Sequence, residues 1–223
     1  MNADNKKPEL SPEQKAVKAQ KSRRDGYVLI FLALMLFAVG TYFRESDSAH
    51  HKLLVHNGAV GSVFEQSVLV MLKHDASGGY GVIINRPDEK NPGYFVGGPM
   101  EPEKISALYK GVANFEGGVP VGDTGLYYIE GARAEELRKL NPPPAWFIVI
   151  RGYAGWSPRQ LDREILREWW KIADMDLPLV TETSPEFIWR AATDKAALAE
   201  EAAKRGIEPA ALEEERKNKK DGL

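Results

Sequence analysis

From Tyr27 to Phe43 the chain carries no charge and is apolar on every side of a helix: Tyr-Val-Leu-Ile-Phe-Leu-Ala-Leu-Met-Leu-Phe-Ala-Val-Gly-Thr-Tyr-Phe. At ~1.5 Å per residue it is about 26 Å long, close to the ~27–30 Å of a hydrocarbon layer. The run predicts one transmembrane helix over 26–43, with Tyr27 and Tyr42 at the interfaces. A buried core helix is one rival reading. A cleaved signal peptide is another, because Ala38 and Gly40 are small residues two apart. Residues 1–25 form a polar, basic tail in which Ser11-Pro12-Glu13-Gln14 has the spacing of a capping box. Lys15, Lys18, Lys21, Arg23 and Arg24 precede the apolar run, whereas Arg44 and Lys52 follow it mixed with Glu45 and Asp47. That asymmetry predicts a cytoplasmic N-terminus and an exported domain.

Beyond a polar linker, 44–52, the pattern changes to that of strands. Ser67–His74 and Tyr80–Asn85 are β-rich and flank Asp75-Ala-Ser-Gly-Gly79, which reads as a hairpin. Pro87 closes the second strand. Tyr94–Val96 is a short strand stopped by Gly97-Gly98-Pro99, a corner where another chain or a ligand can approach the backbone. Ile105–Lys110 fits helix or strand. Gly125–Ile129 reads as a strand, Ala132–Leu140 as a short helix, and Asn141-Pro-Pro-Pro144 as a stiff break. Ala145–Ile150 is apolar throughout, as a central strand covered on both faces would be. Ser157-Pro158-Arg159-Gln160 repeats the capping-box spacing ahead of a helix whose apolar face is Leu161, Ile165, Leu166 and Trp169. A last helix starts at Ser184-Pro185-Glu186 and ends at Gly206, leaving 213–223 as a charged, frayed tail.

Composition removes several kinds of chemistry. There is no cysteine, so disulfides, thiol nucleophiles and thiolate metal sites are excluded. With 30 basic against 32 acidic residues the chain lacks the cationic excess that nucleic-acid binding needs, and no direct nucleic-acid binding is expected. His50, His51 and His56 lack further ligands at metal spacing, so no metal and no cofactor is expected. Gly78, Gly79 and Gly81 are turn glycines, since a strand rather than a helix follows them. Ser157 lacks the glycines of a nucleophile elbow and reads as a helix cap.

The order of Gly61-Ser-Val-Phe64, Ser67-Val68, His74-Asp75 with Gly78 to Gly81, Asn85-Arg86-Pro87, Gly97-Gly98-Pro99, Gly152-Tyr-Ala-Gly-Trp156, Gln160-Leu161 and Glu164 resembles the YqgE/AlgH family of bacterial proteins. Ile188-Trp189 and Gly206-Ile-Glu-Pro-Ala210 are similar to its C-terminal part. The likeness spans 53–212. It implies an α+β fold with a bent, mainly antiparallel sheet approaching a barrel and flanked by helices, with Ile105–Lys110 as a strand. Some family members are linked to transcriptional regulation, without an established reaction. Two features depart from the family: relatives are typically soluble and cytoplasmic, and Asn57–Val63 replaces an opening segment rich in Met, Asp and Pro. With the membrane run, the expectation is a single-pass protein of the bacterial inner membrane with a periplasmic domain.

For function, the leading expectation is a non-catalytic binding or interaction module for a protein or small ligand. The residues singled out are Asn85, Arg86, Gly97, Gly98, Tyr153, Gln160 and Glu164. The same side chains have an architectural reading: Arg86 pairing with Glu164, and Asn85 satisfying buried backbone. The alternative is a hydrolase-like enzyme in which His74 with Asp75 supplies a base and Glu164 an acid. Regulation of transcription is the weaker alternative.

Overall fold

Ser11 and Gln14 cap the first helix reciprocally, the Ser11 N–H donating to Gln14 Oε1 (3.1 Å) and the Gln14 N–H to Ser11 Oγ (3.3 Å). This helix, α1 (Pro12–Ser46), continues without a break through the apolar run. The computed structural model describes residues 11–46, 49–111 and 115–221, and the chain falls into two units, Met1–Arg44 and Glu45–Leu223. Residues 1–10 of the expected tail, 47–48 of the linker and 222–223 lie outside the described residues. Among the described residues no helix is long and apolar enough to cross a membrane. The apolar stretch whose side chains are described, Tyr27–Gly40, is about 21 Å of helix against a hydrocarbon layer of ~30 Å. The side chains of 41–43, which would complete the expected span, including Tyr42, lie outside the description. The expected transmembrane helix over 26–43 is therefore not upheld. The inner-membrane location and the exported domain inferred from it fall with it.

Among the described residues the second unit has nine strands: β1 (Leu53–His56), β2 (Val68–Asp75), β3 (Gly78–Ile83), β4 (Phe95–Val96), β5 (Met100–Lys110), β6 (Val119–Pro120), β7 (Tyr127–Glu130), β8 (Trp146–Trp156) and β9 (Trp170–Ala173). Their order is β6-β7-β5-β8-β3-β2-β1-β9, and all neighbours along it are antiparallel; β4 pairs with β8 in parallel. β8 changes partner along its length, pairing with β5 from Trp146 to Tyr153 and with β3 from Ala154 to Trp156. It thereby joins two halves of one curled sheet, the α+β architecture that the resemblance implies.

Strand alternation sorts the core. Leu53 and Val55, Val68 and Val70, and Ile148 and Ile150 face one side, where Leu179 and Val180 of α4 (Leu177–Glu182) and Ile188, Ala192 and Ala196 of α5 (Pro185–Arg205) cover them. On the other side, Leu54, Leu69, Met71 and Ile83 meet Leu161 of α3 (Gln160–Leu166). Ala107, Tyr109 and Val149 there meet Ala134 of α2 (Ala132–Glu136) and Leu137 of the 3-10 turn that follows it. Helices on both faces explain why β2 and β8 are nearly continuous in apolar residues although the sheet is antiparallel.

The structure departs from the sequence pattern in four places. β1, β9 and α4 went unread because each has only four to six residues. The helix after Ser157 ends at Leu166, so Leu161 and Ile165 pack while Leu166 is 84 % and Trp169 51 % exposed. Its N-cap is Arg159 in the left-handed conformation; of the expected box, the Gln160 side chain accepting the Ser157 N–H (3.1 Å) is present. The C-terminal segment is helical, α6 (Pro209–Asp221), and its Leu212 is buried.

Candidate functional site

Six of the seven residues singled out in the sequence are engaged within the fold. Asn85 bridges two strand ends, its Oδ1 accepting the Val68 N–H (2.8 Å) and its Nδ2 donating to the Gln66 carbonyl (2.9 Å). Arg86 donates from Nη1 to the Val63 carbonyl (2.7 Å) and from Nη2 to the Glu65 carbonyl (2.9 Å) and Ser67 Oγ (2.8 Å). It pins the loop before β2 rather than pairing with Glu164, and its burial lowers the guanidinium pKa. Glu164 accepts both buried indole N–H groups at Oε2, from Trp156 and from Trp170 at 2.8 Å each, and the Gln160 amide at Oε1 (3.0 Å). One carboxylate of α3 thus ties β8 to β9.

Gly97 and Gly98 do form a close-approach corner, and what approaches is the chain's own β8. A Cβ on Gly97 would stand 2.3 Å from the Gly152 oxygen, and one on Gly98, where φ is +156°, would stand 2.3 Å from the carbonyl of Tyr153. A Cβ on Gly152 would meet the Met100 and Gly98 oxygens at 2.7 and 2.9 Å. The Gly-Gly-Pro and Gly-Tyr-Ala-Gly-Trp motifs are two sides of one backbone contact.

His74 is 2 % exposed. Its Nδ1 accepts the Ala49 N–H (3.3 Å), so Nε2 carries the proton and faces Asp162 Oδ1 (3.3 Å). Asp162 Oδ2 lies 3.4 Å from Arg159 Nη1, an ion-pair contact without a hydrogen bond. Asp75, the partner expected from sequence, instead closes the hairpin by accepting the Ser77 N–H (2.8 Å) and Oγ–H (2.6 Å), and the Ser77 hydroxyl chiefly depresses its pKa. Asp162 comes from a helix 88 positions away, which no local spacing could announce. The His50 and His51 rings lie 3.7 Å apart between centroids, tilted by 38°, while His56 sits edge-on to Trp170 at 5.1 Å.

Tyr153, the seventh residue, opens onto solvent. It lines a concavity of ≈ 560 Å³ with Gly79, Tyr80, Met100, Lys104 and Glu130, while a second of ≈ 460 Å³ contains Tyr80, Tyr128, Glu130, His51 and Arg133. Both are lined by Tyr80 and Glu130, and the two concavities together are called the groove, with walls from β3, β5, β7 and β8. A bulge shapes it: Met100 pairs with Tyr153 and Ile105 with Arg151, so Glu101–Lys104 intervene on β5 where only Gly152 does on β8. The bulge brings Glu101 Oε1 to the Tyr153 hydroxyl (3.0 Å) and Lys104 Nζ to Glu130 Oε1 (3.0 Å) and over the Tyr153 ring (5.3 Å to its centroid). The Tyr128 hydroxyl donates to the same Glu130 oxygen (2.9 Å). Burial drives the Tyr128 pKa far above the usual phenol value. The hydrogen bond to Glu101 raises that of Tyr153, and both tyrosines stay protonated donors. For Lys104 burial opposes the charge, but the Glu130 hydrogen bond and the fields of Glu130 and Glu101 raise its pKa on balance. Tyr80, Lys104, Tyr128 and Glu130 come from three strands with no shared motif, and sequence reasoning missed them.

A family model described as AlgH-like (DUF179) matches residues 53–199. The chain belongs to the AlgH-like family. Among curated relatives of this AlgH-like chain, a UPF0301 protein of Streptomyces avermitilis is 32 % identical over 66 % of this chain and 86 % of its own length. A UPF0301 protein of Sphingopyxis alaskensis is 29 % identical over 60 % of this chain and 81 % of its own. The fold is similar to the solution structure of the AlgH protein from Pseudomonas aeruginosa (TM-score 0.52, 19 % identity, covering 74 % of this chain and 92 % of that one). It is also similar to the crystal structure of protein DIP2367 from Corynebacterium diphtheriae (TM-score 0.53, 21 % identity, covering 63 % and 83 %). At these identities the two structures speak for the AlgH-like fold alone.

Proposed function

We propose that this AlgH-like domain is a non-catalytic binding module whose binding surface is the tyrosine-lined groove around Tyr80, Tyr153 and Glu130. One contrast carries the reading. The side chains with catalytic potential, His74, Glu164 and Arg86, have their lone pairs and protons engaged by the chain's own backbone, indoles and Asp162. None of them lines the groove. The groove has the opposite character, with aromatic faces, a carboxylate and an ammonium at the surface of a rigid sheet, which is the make-up of a site that recognises rather than transforms. Much of its wall is strand, which holds Tyr80, Tyr128, Glu130 and Tyr153 in place and reduces the ordering cost of binding.

The test is a fragment screen read by amide chemical shifts of the full-length protein. Hits are expected to move amides of Tyr80, Lys104, Glu130 and Tyr153, and Tyr80→Ala with Tyr153→Ala to remove them while the protein stays folded. Shifts centred instead on His74, Asp162 and Glu164, or turnover of any fragment lost in His74→Gln, would overturn the reading.

A further inference from the structure

We infer that the groove is a seat for an alkylammonium or guanidinium group, and that Lys104 of the chain itself now occupies that seat. The inference rests on the binding role proposed above and adds the class of ligand. Its basis is what surrounds the Lys104 Nζ: the Glu130 carboxylate at 3.0 Å, the face of Tyr153 at 5.3 Å, and the Glu101 carboxylate held close by the Tyr153 hydroxyl. A carboxylate and an aromatic face converging on one point is how proteins hold organic cations.

The lysine is bound there from a bulge, on a four-carbon stem, with its side chain 37 % exposed. Such a group can swing out without breaking the sheet. Glu130 lies where three concavities meet, the third being lined also by Glu103, Lys104 and Glu135. Its Oε1 accepts from Tyr128 and forms the ion pair with Lys104, while Oε2 has no hydrogen bond among the described residues. The other cation at the groove, Arg133, is already paired with Glu116 and Glu136. With Lys104 swung out, Glu130 loses its ion-pair partner beside the Tyr153 face while Glu101 stays at the Tyr153 hydroxyl, which favours a cation over an anion or a neutral ligand.

The experiment titrates the full-length protein, followed by groove amide shifts, with 1,4-diaminobutane, N-acetyl-arginine amide, propionate and n-butanol. The two cations are expected to saturate the groove and the other two to leave it unmoved. Glu130→Gln is expected to weaken both cations about tenfold or more, as loss of a charge-assisted contact implies. Lys104→Met, which keeps the stem and removes the competing ammonium, is expected to tighten them several-fold. Tighter diamine binding assigns the seat to free amines, and tighter arginine-amide binding to a side chain of another polypeptide. Weaker or unchanged cation binding in a folded Lys104→Met variant overturns the inference. If propionate or butanol binds the groove and the cations do not, the cation assignment falls while the groove remains a binding surface; if no probe moves its amides, both readings fall.

Discussion

Replacing Glu164 by alanine removes the acceptor shared by two indoles. Trp156 and Trp170 are 7 % and 3 % exposed, so their N–H groups cannot turn to bulk water when the carboxylate goes. Each stranded donor costs about 1–3 kcal/mol, and the partly exposed Gln160 amide adds little, giving a loss of about 2–6 kcal/mol. For a domain of this size about 1 kcal/mol shifts Tm by roughly 2–4 °C, so Tm should fall on the order of 10 °C. Glu164→Gln should lose much less, because its one carbonyl oxygen can take the place of Oε2 and receive both indoles. Thermal melts followed by tryptophan fluorescence measure both variants. Trp170→Phe should also cost less in the Glu164→Ala background than in wild type, since the contact it removes is already gone. A Glu164→Ala protein melting within about 1 °C of wild type, or a glutamine variant less stable than the alanine one, would refute the reasoning.

Other outcomes can be checked with the same melts. Tyr109 is fully buried and its hydroxyl has no hydrogen-bond partner among the described residues, so Tyr109→Phe should be neutral or stabilising by up to about 1 kcal/mol. Gly98→Ala should destabilise by several kcal/mol or prevent folding, because its Cβ would overlap the Tyr153 carbonyl; the soluble yield and urea midpoint report this. His56 is buried neutral, its Nδ1 accepting the Gly58 N–H (3.2 Å), and burial lowers its pKa below the usual 6.5. The unfolded chain therefore takes up the proton first as pH falls, so His56 contributes its full stability above about pH 6.5 and loses it from there down to its folded pKa. The urea midpoint should drop between pH 7.5 and 5.5, with a shallower drop in His56→Asn, whose amide oxygen can accept the same N–H.

What could be read from the sequence divides along physical lines. The hairpin of β2 and β3, the helix from Ser184 to Gly206 and the reciprocal cap of Ser11 and Gln14 depend on residues close in the chain, and their patterns were visible. The strand character of Ile105–Lys110 was not, because both faces of β5 are covered and its apolar run carries no period. The Leu166–Trp169 stretch was misread as helix face because its spacing fits a helix, while Glu168 at φ 59° turns the chain away. The apolar run before the domain was read as a membrane span from its length, and no described helix meets that requirement. At the site, Asn85, Arg86, Gln160 and Glu164 stood out because they belong to compact motifs, and those motifs are devices for holding strands and loops together. The groove was hidden because its side chains meet only after the sheet has curled.

On the proposed reading, the Glu101–Lys104 bulge carries binding and the rest of the sheet carries architecture. Register is regained at Ile105, so the side chains of Glu101, Glu103 and Lys104 can change in charge while the interlocked glycines and the Glu164 clamp hold the sheet unchanged. Two proteins with this scaffold can therefore diverge in what they hold without diverging in shape. A ligand established for one of them would have to be tested afresh in the next, beginning with the residues that stand where Glu101 to Lys104 stand here.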